Sequence, residues 1–306
     1  MGTYGMRTST LFFLLVALIV GLVQHGTPAH AEPSLILNEF NTVKGSEYLK
    51  GGNSDAYFGR VEGNGDNWIE LVVVGDHADI RGYELLWWED DGDGNGTAIW
   101  DPSRASFNES QGKITFANNA LWSDLRSGTI ITISDKQIVD TVYEDATPVS
   151  FDLSTDTSYN PLAGDWWIHV SSRQEAGESN PLVTTMNNID GDPAGAFSVG
   201  NNDWELRITD GTTTVFGPIG EAIIGENGTF GGLGVDEVGK LEADPSASVT
   251  VDDFNDGSSS TFGSPNVWGS GDNEQDFSGL RAAVPEPTAA VMLAAVLAAI
   301  AFIRRR

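Results

Sequence analysis

Between its two ends the chain shows almost no helical hydrophobic period. Instead, short apolar runs rich in β-branched and aromatic residues recur, separated by Gly, Asn, Asp and Ser clusters. Such runs cover Leu35–Phe40, Trp68–Val74, Tyr83–Trp88, Lys113–Phe116, Thr129–Ser134, Trp166–Val170, Trp204–Thr209 and Thr213–Phe216. Within Trp68–Val73 the alternation places Ile69, Leu71 and Val73 on an inward face and leaves the other face wetter. Asp210-Gly211 lies between two alternating runs and predicts a tight hairpin from Arg207 to Phe216. Many short strands with turn signals between them point to an all-β, antiparallel sandwich.

The ends read differently. Arg7 precedes an unbroken apolar stretch from Leu11 to Val23, and Thr27-Pro28-Ala29-His30-Ala31 supplies small residues at Ala29 and Ala31. This is the layout of a signal peptide over residues 1–31, cleaved after Ala31. At the other end, Val284-Pro285-Glu286-Pro287-Thr288 leads into an Ala/Leu/Val/Ile run closed by Arg304-Arg305-Arg306. In a helix over 288–303 the apolar run Ala289–Ile303 is ~22 Å long, short of the roughly 30 Å bilayer core, which thinning of the membrane would accommodate. The three arginines would stay on the cytoplasmic side.

The chain has 16 basic and 44 acidic residues and no cysteine. Without the charges of the two ends (Arg7, Glu286, Arg304, Arg305 and Arg306), its balance is −31. That charge disfavours nucleic acid, anionic lipid and acidic polymers, and favours cations. An exported chain without cysteine relies on its core or on bound metal rather than on disulfides.

Catalytic chemistry has little to draw on. Of four histidines, His25 and His30 leave with the signal peptide, while His77 sits in a turn and His169 in an expected strand. No nucleophile elbow, phosphate loop or paired zinc histidines occur. One loop stands out. Asp91-Gly92-Asp93-Gly94-Asn95-Gly96 alternates oxygen side chains as the first half of a calcium loop does, with Gly96 at the sharp turn and the Thr97 carbonyl next. The closing glutamate of such a loop is replaced by Pro102, leaving Asp101 or Asp90 to complete the shell. The site would hold calcium through Asp91, Asp93, Asn95, Thr97 and Asp101, or be a solvated turn. Asn188-Ile189-Asp190-Gly191-Asp192 is a weaker echo. The nine tryptophans either fill a thick core or expose a ring for sugar. In the adjacent pairs Trp87-Trp88 and Trp166-Trp167, one ring of each would face away from the core, exposed or covered by the 138–200 elaboration.

Val284 to Arg306 resembles a PEP-CTERM sorting tail: the Pro285-Glu286-Pro287 motif, a short apolar helix and terminal arginines, in that order. The resemblance implies a substrate of exosortase, the processing enzyme of Gram-negative bacteria that build exopolysaccharide. The middle of the chain resembles a lamin-tail domain. Leu35-Ile36-Leu37-Asn38-Glu39-Phe40 matches its "INE" strand, Asn67-Trp68-Ile69-Glu70-Leu71 its "WIEL" strand, and Asp79-Ile80-Arg81-Gly82-Tyr83-Glu84-Leu85 the next. Ser260-Thr261-Phe262-Gly263-Ser264-Pro265-Asn266 is similar to its closing motif, with Lys240-Leu241-Glu242 as the strand before it. This implies an immunoglobulin-like sandwich over 32–268, elaborated at 138–200 because the chain is longer than the usual module. Residues 269–283 then read as a flexible spacer and 284–306 as the sorting tail.

The expected function is that of a non-enzymatic exported protein of the cell surface or extracellular matrix. The C-terminal helix would hold it in the cytoplasmic membrane until an exosortase-type enzyme processes it, with exopolysaccharide as a further partner and no nucleic acid. The alternative is a secreted metal-dependent hydrolase with a carboxylate site in 138–200.

Overall fold

A computed structural model describes residues 33–44, 47–50, 53–55, 59–61, 67–90, 109–135, 155–172, 180–187, 195–201, 204–221 and 232–281. The signal segment with Ala29 and Ala31 lies outside these residues, as does the sorting tail with Pro285, Glu286, Pro287, Arg304, Arg305 and Arg306. So does the loop carrying Asp91, Asp93, Asn95, Thr97 and Asp101. No helix among the described residues is long and apolar enough to cross a membrane.

The chain begins with β1 (Leu35–Asn41), β2 (Ser54–Asp55), β3 (Gly59–Arg60), β4 (Trp68–Val73) and β5 (Glu84–Asp90). It continues through β6 (Glu109–Phe116), β7 (Ile130–Ser134), β8 (Trp167–Ser171), β9 (Val183–Asn187) and β10 (Trp204–Thr209). The last are β11 (Thr214–Glu221), β12 (Val238–Leu241), β13 (Phe254–Gly257), β14 (Val267–Trp268) and β15 (Asn273–Glu274). Short 3-10 turns such as Ala120–Trp122 and Pro161–Ala163 are the only helical pieces among the described residues.

Two sheets carry the fold. One has the order β13-β12-β1-β4-β7-β8 and the other β11-β10-β5-β6-β9. The inward faces meet in one apolar core: Leu37, Phe40, Ile69, Leu71, Ile131, Ile133 and Ile168 come from the first, and Leu85, Trp87, Ile114, Leu206 and Ile208 from the second. Phe40 and Trp204 join the layers with ring centroids 5.1 Å apart. The architecture is therefore all-β and sandwich-like, and Ile69, Leu71 and Val73 are buried in the core as their spacing implies. Asp210 closes the expected hairpin: its carboxylate accepts from the backbone N–H groups of Thr212 and Thr213 at 2.8 and 2.7 Å. Those donors hold its pKa far below the ordinary range.

Three features differ from the sequence reading. The sheets are not wholly antiparallel, because β7 and β8 pair in parallel, Ile130 opposite Trp167 through Ser134 opposite Ser171. A parallel neighbour needs a long return path, and the stretch between Ser134 and Trp167 provides it. The sequence reading also missed β9, so the 138–200 elaboration contributes a strand to each sheet, β8 to one and β9 to the other. Finally, the chain after Trp268 is packed rather than a free spacer. Phe277 is buried, Gln275 donates to Asn38, and the Arg281 guanidinium sits over the rings of Phe277 and Trp166 at 4.5 and 5.2 Å.

Candidate functional site

The outer face of the six-stranded sheet, away from the core, carries a straight polar row. In register across five strands stand Lys240 (β12), Glu39 (β1), Glu70 (β4), Thr132 (β7) and His169 (β8). All five are fully buried. A bulge in β1 between Leu37 and Glu39 sets the pattern: it lets Leu37 and Phe40 both face the core opposite Leu71 and Ile69, and turns Glu39 to the other side opposite Glu70.

What buries the row is a strap running from Ser258 to Arg281. Glu39 accepts from the Thr261 backbone N–H at 3.1 Å and from the Thr261 hydroxyl at 2.8 Å. The Gly263 N–H donates to Glu70 Oε2 at 2.6 Å, while Asn38 Nδ2 donates to Glu70 Oε1 at 2.7 Å. Gly263 holds φ +77°, and a Cβ there would lie 2.8 Å from the Trp167 indole, so the backbone approaches the sheet only because the residue is glycine. Between these two clamps, the Phe262 ring inserts edge-on against Trp68 at 5.0 Å and near His169 at 5.6 Å. Asn266 Nδ2 donates to the carbonyls of Asn38 and Leu241, both at 3.0 Å, and Gln275 Nε2 to Asn38 Oδ1 at 2.9 Å. The Lys240 ammonium donates to Ser259 and to the Val267 carbonyl, the latter at 3.2 Å.

His169 fits the same pattern. Its ring nitrogens lie 2.9 Å from the Thr132 hydroxyl and 3.4 Å from that of Ser134. Burial pushes its pKa down to about 4, against smaller opposing effects of Asp156 and Thr132, so the ring is neutral at neutral pH. The Thr132 hydroxyl also accepts from the Trp167 indole N–H at 2.9 Å. A neutral imidazole sealed under Phe262 has no path to a substrate. The row is a closure device, with carboxylates that serve as hydrogen-bond acceptors for backbone.

One wall of the strap opens to solvent. Along β12 and β13 and around the β14–β15 hairpin lies a groove of about 630 Å³, lined by Asn53, Glu242, Asp256, Ser270 and Trp268, with Lys240 in its floor. Asp256 hydrogen-bonds Glu237, and desolvation followed by that neighbour raises its pKa above the ordinary carboxylate range. Glu237 lies lower, despite its own desolvation, because the Gly234 N–H, Asp256 and Lys50 donate to it.

The metal ligands expected from sequence, Asp91, Asp93, Asn95, Thr97 and Asp101, lie outside the described residues. Among the described residues no three acidic or histidine side chains are grouped to hold a metal ion. In the 138–200 segment, Asp156 accepts from the Ser158 N–H and Asp165 from the Ser158 hydroxyl, so both shape a loop. Of the two outcomes open to the Trp87-Trp88 pair, an exposed ring or a covered one, the structure has the covered one: Trp87 and Trp88 are both buried. Sequence reasoning passed over the strap's role and Trp268, whose signal was an aromatic residue followed by Gly269-Ser270-Gly271. No known protein family, curated protein or solved structure matches this chain.

Proposed function

We propose that the chain is an exported, non-enzymatic surface or matrix protein: a lamin-tail-type, immunoglobulin-like sandwich delivered by a PEP-CTERM tail. In this reading the 288–303 helix anchors it in the cytoplasmic membrane until an exosortase-type enzyme acts near Pro285-Glu286-Pro287. Release to the cell surface or matrix follows.

One observation carries the proposal. The residues best able to do chemistry, Glu39, Glu70, His169 and Lys240, are all fully buried beneath the strap. That strap stays packed to Arg281, through its contacts with Gly128, Trp166 and Phe277. The described residues run to Arg281, three positions before Val284, where the resemblance to a sorting tail begins. A body closed in this way suits display or binding better than turnover. The strongly acidic balance supports the exclusion of nucleic acid, and calcium at Asp91, Asp93, Asn95, Thr97 and Asp101 would partly offset that charge.

The test replaces Pro285 and Pro287 by Ala in the producing cell. Immunoblots of membrane and released fractions should show a longer form retained in the inner membrane, with the fold unchanged by circular dichroism. Release of the double variant at the parent's rate and size would refute the sorting assignment.

A further inference from the structure

We infer that the groove between β13 and the β14–β15 hairpin is a binding site for a neutral glycan, with Trp268 as its stacking surface and Glu242 and Asp256 as hydroxyl acceptors. The inference deepens the surface-module reading by naming what the module would hold.

Size is the first argument. At about 630 Å³ the groove falls within the ~300–1,000 Å³ typical of small-ligand sites, and it is open to solvent along the strap. Its lining is the second. Trp268 is only partly buried, unlike Trp68, Trp87, Trp88, Trp122 and Trp204, which are fully or almost fully buried. A partly exposed indole in a polar groove offers a flat apolar face to the C–H side of a pyranose while its surroundings stay wet. The groove's polar groups suit hydroxyls. Glu242 Oε2 accepts from Asn255 Nδ2 at 3.2 Å, and no described residue donates to its other oxygen. Asp256 also lines the groove, with its pKa raised by desolvation and by the neighbouring Glu237.

Backbone geometry builds the rim. Gly269, Ser270 and Gly271 hold φ of 61°, 61° and 93° in succession, an arrangement uncommon for a side-chain-bearing residue such as Ser270. It turns the strap sharply after Trp268, and both glycines leave the groove unobstructed by side chains.

Charge decides the class of glycan. The ammonium of Lys240 is fully buried in the floor and held by Ser259 and the Val267 carbonyl, so it does not offer a cation to a ligand. Glu242 and Asp256 are acidic, and the whole chain carries −28. Uronate or sulfated chains would be repelled. A divalent cation is a poorer fit, since no group of three acidic or histidine side chains among the described residues is placed to hold a metal ion.

The test is calorimetric titration of the purified full-length chain in a detergent without a sugar headgroup, in EDTA. The probes are cellohexaose, mannohexaose and N-acetylchitohexaose, with hexaguluronate as the anionic control. At least one neutral hexaose should bind and hexaguluronate should not. Trp268→Ala should weaken binding roughly ten-fold or more, whereas Trp268→Phe keeps most of it and Glu242→Gln loses several-fold. Should Trp268→Ala disturb the near-ultraviolet dichroism, Trp268→Phe and Glu242→Gln decide the matter. Absence of binding to all three neutral probes, a preference for hexaguluronate, or affinity indifferent to all three variants would each overturn the site. Because binding is read on purified protein and sorting is read in cells, failure of one leaves the other standing.

Discussion

Glu70→Gln tests whether the carboxylates of the buried row hold the strap in place. Each oxygen of Glu70 has its own donor: Oε1 accepts from Asn38 Nδ2 at 2.7 Å and Oε2 from the Gly263 N–H at 2.6 Å. A glutamine keeps one acceptor and puts an N–H₂ group against a second donor. Asn38 cannot relieve the conflict by turning its amide over, because its Oδ1 already accepts from Gln275 Nε2. The variant thus trades two hydrogen bonds to a charged group for one to a neutral group and leaves a buried donor facing a donor.

Bonds to charged groups contribute ~1.5–3 kcal/mol each, and an unsatisfied buried donor costs ~1–3 kcal/mol. Neutralising a buried charge removes a desolvation penalty, which works the other way. With the donors of Glu70 supplied by fixed backbone and a locked amide, the hydrogen-bond loss should win, by about 2–4 kcal/mol. For a body of this size that is a drop of roughly 5–15 °C in melting temperature. Glu84→Gln is the control, because Glu84 pairs with Lys113 where both side chains are partly exposed, and its loss should cost below ~1 kcal/mol. Urea denaturation of both variants, followed by tryptophan fluorescence, gives the comparison. If Glu70→Gln is no more destabilising than Glu84→Gln, the carboxylate does not clamp the strap.

Three further outcomes follow from other parts of the fold. His169 titrates at about 4 when folded and near 6.5 when unfolded, so the unfolded state binds more protons between these values; stability should be full above pH 6.5 and fall by about 3 kcal/mol as the pH drops to 4, and His169→Asn should flatten that slope in urea titrations across the range. Gly112→Ala should destabilise by about 1–3 kcal/mol or more, because a Cβ there would lie 2.0 Å from the Trp87 ring and 2.5 Å from the Met186 carbonyl; a melting temperature equal to the parent's would show that β6 and β9 can part without loss. Calcium should raise the melting temperature more than magnesium does, by up to about 2.7 kcal/mol of stability at a hundred-fold excess over the dissociation constant, with Asp91→Ala plus Asp93→Ala removing most of the gain; equal effects of the two cations would make the loop a turn.

The sandwich was legible because its strands are written in β-branched and aromatic residues at period two, and each of the eight runs read from the sequence contains or overlaps a strand. β9 escaped because Val183-Thr184-Thr185-Met186-Asn187 is an edge strand whose alternate residues are wet, and such a segment looks like a polar loop. The parallel partnership of β7 and β8 left no local trace, since direction is set by the path of the connection. The buried row was misread for a different reason. Alternation tells which residues share a face but not whether water reaches that face, so Glu70 on the side opposite Ile69 and Leu71 passed for a solvent position. Trp68 was the available clue. It shares the parity of Glu70, and a large aromatic beside a glutamate on a supposedly wet face signals a cover. The rest of the candidate site depends on Ser258–Arg281, whose Asp, Asn, Gly and Ser content reads as a spacer by composition although each polar group in its clamps meets a partner.

The same composition explains why the cover is fastened as it is. With no cysteine to tie the strap down and 16 basic against 44 acidic residues, cations are too scarce to neutralise buried carboxylates. Backbone N–H groups are the donors an acidic chain has in surplus, and they are shortest-range where the strap runs flat against the sheet. Glu39 and Glu70 therefore take Thr261 and Gly263 as partners, while the one buried ammonium of the row, Lys240, takes oxygens of the strap. The sheet offers acceptors where the strap offers donors, and a donor where the strap offers acceptors, so displacing the strap would break hydrogen bonds to both signs of charge at once. That reciprocity makes the strap part of the folded body up to Arg281, and the same lysine ties Ser259 and Val267, the residue before Trp268, to the sheet.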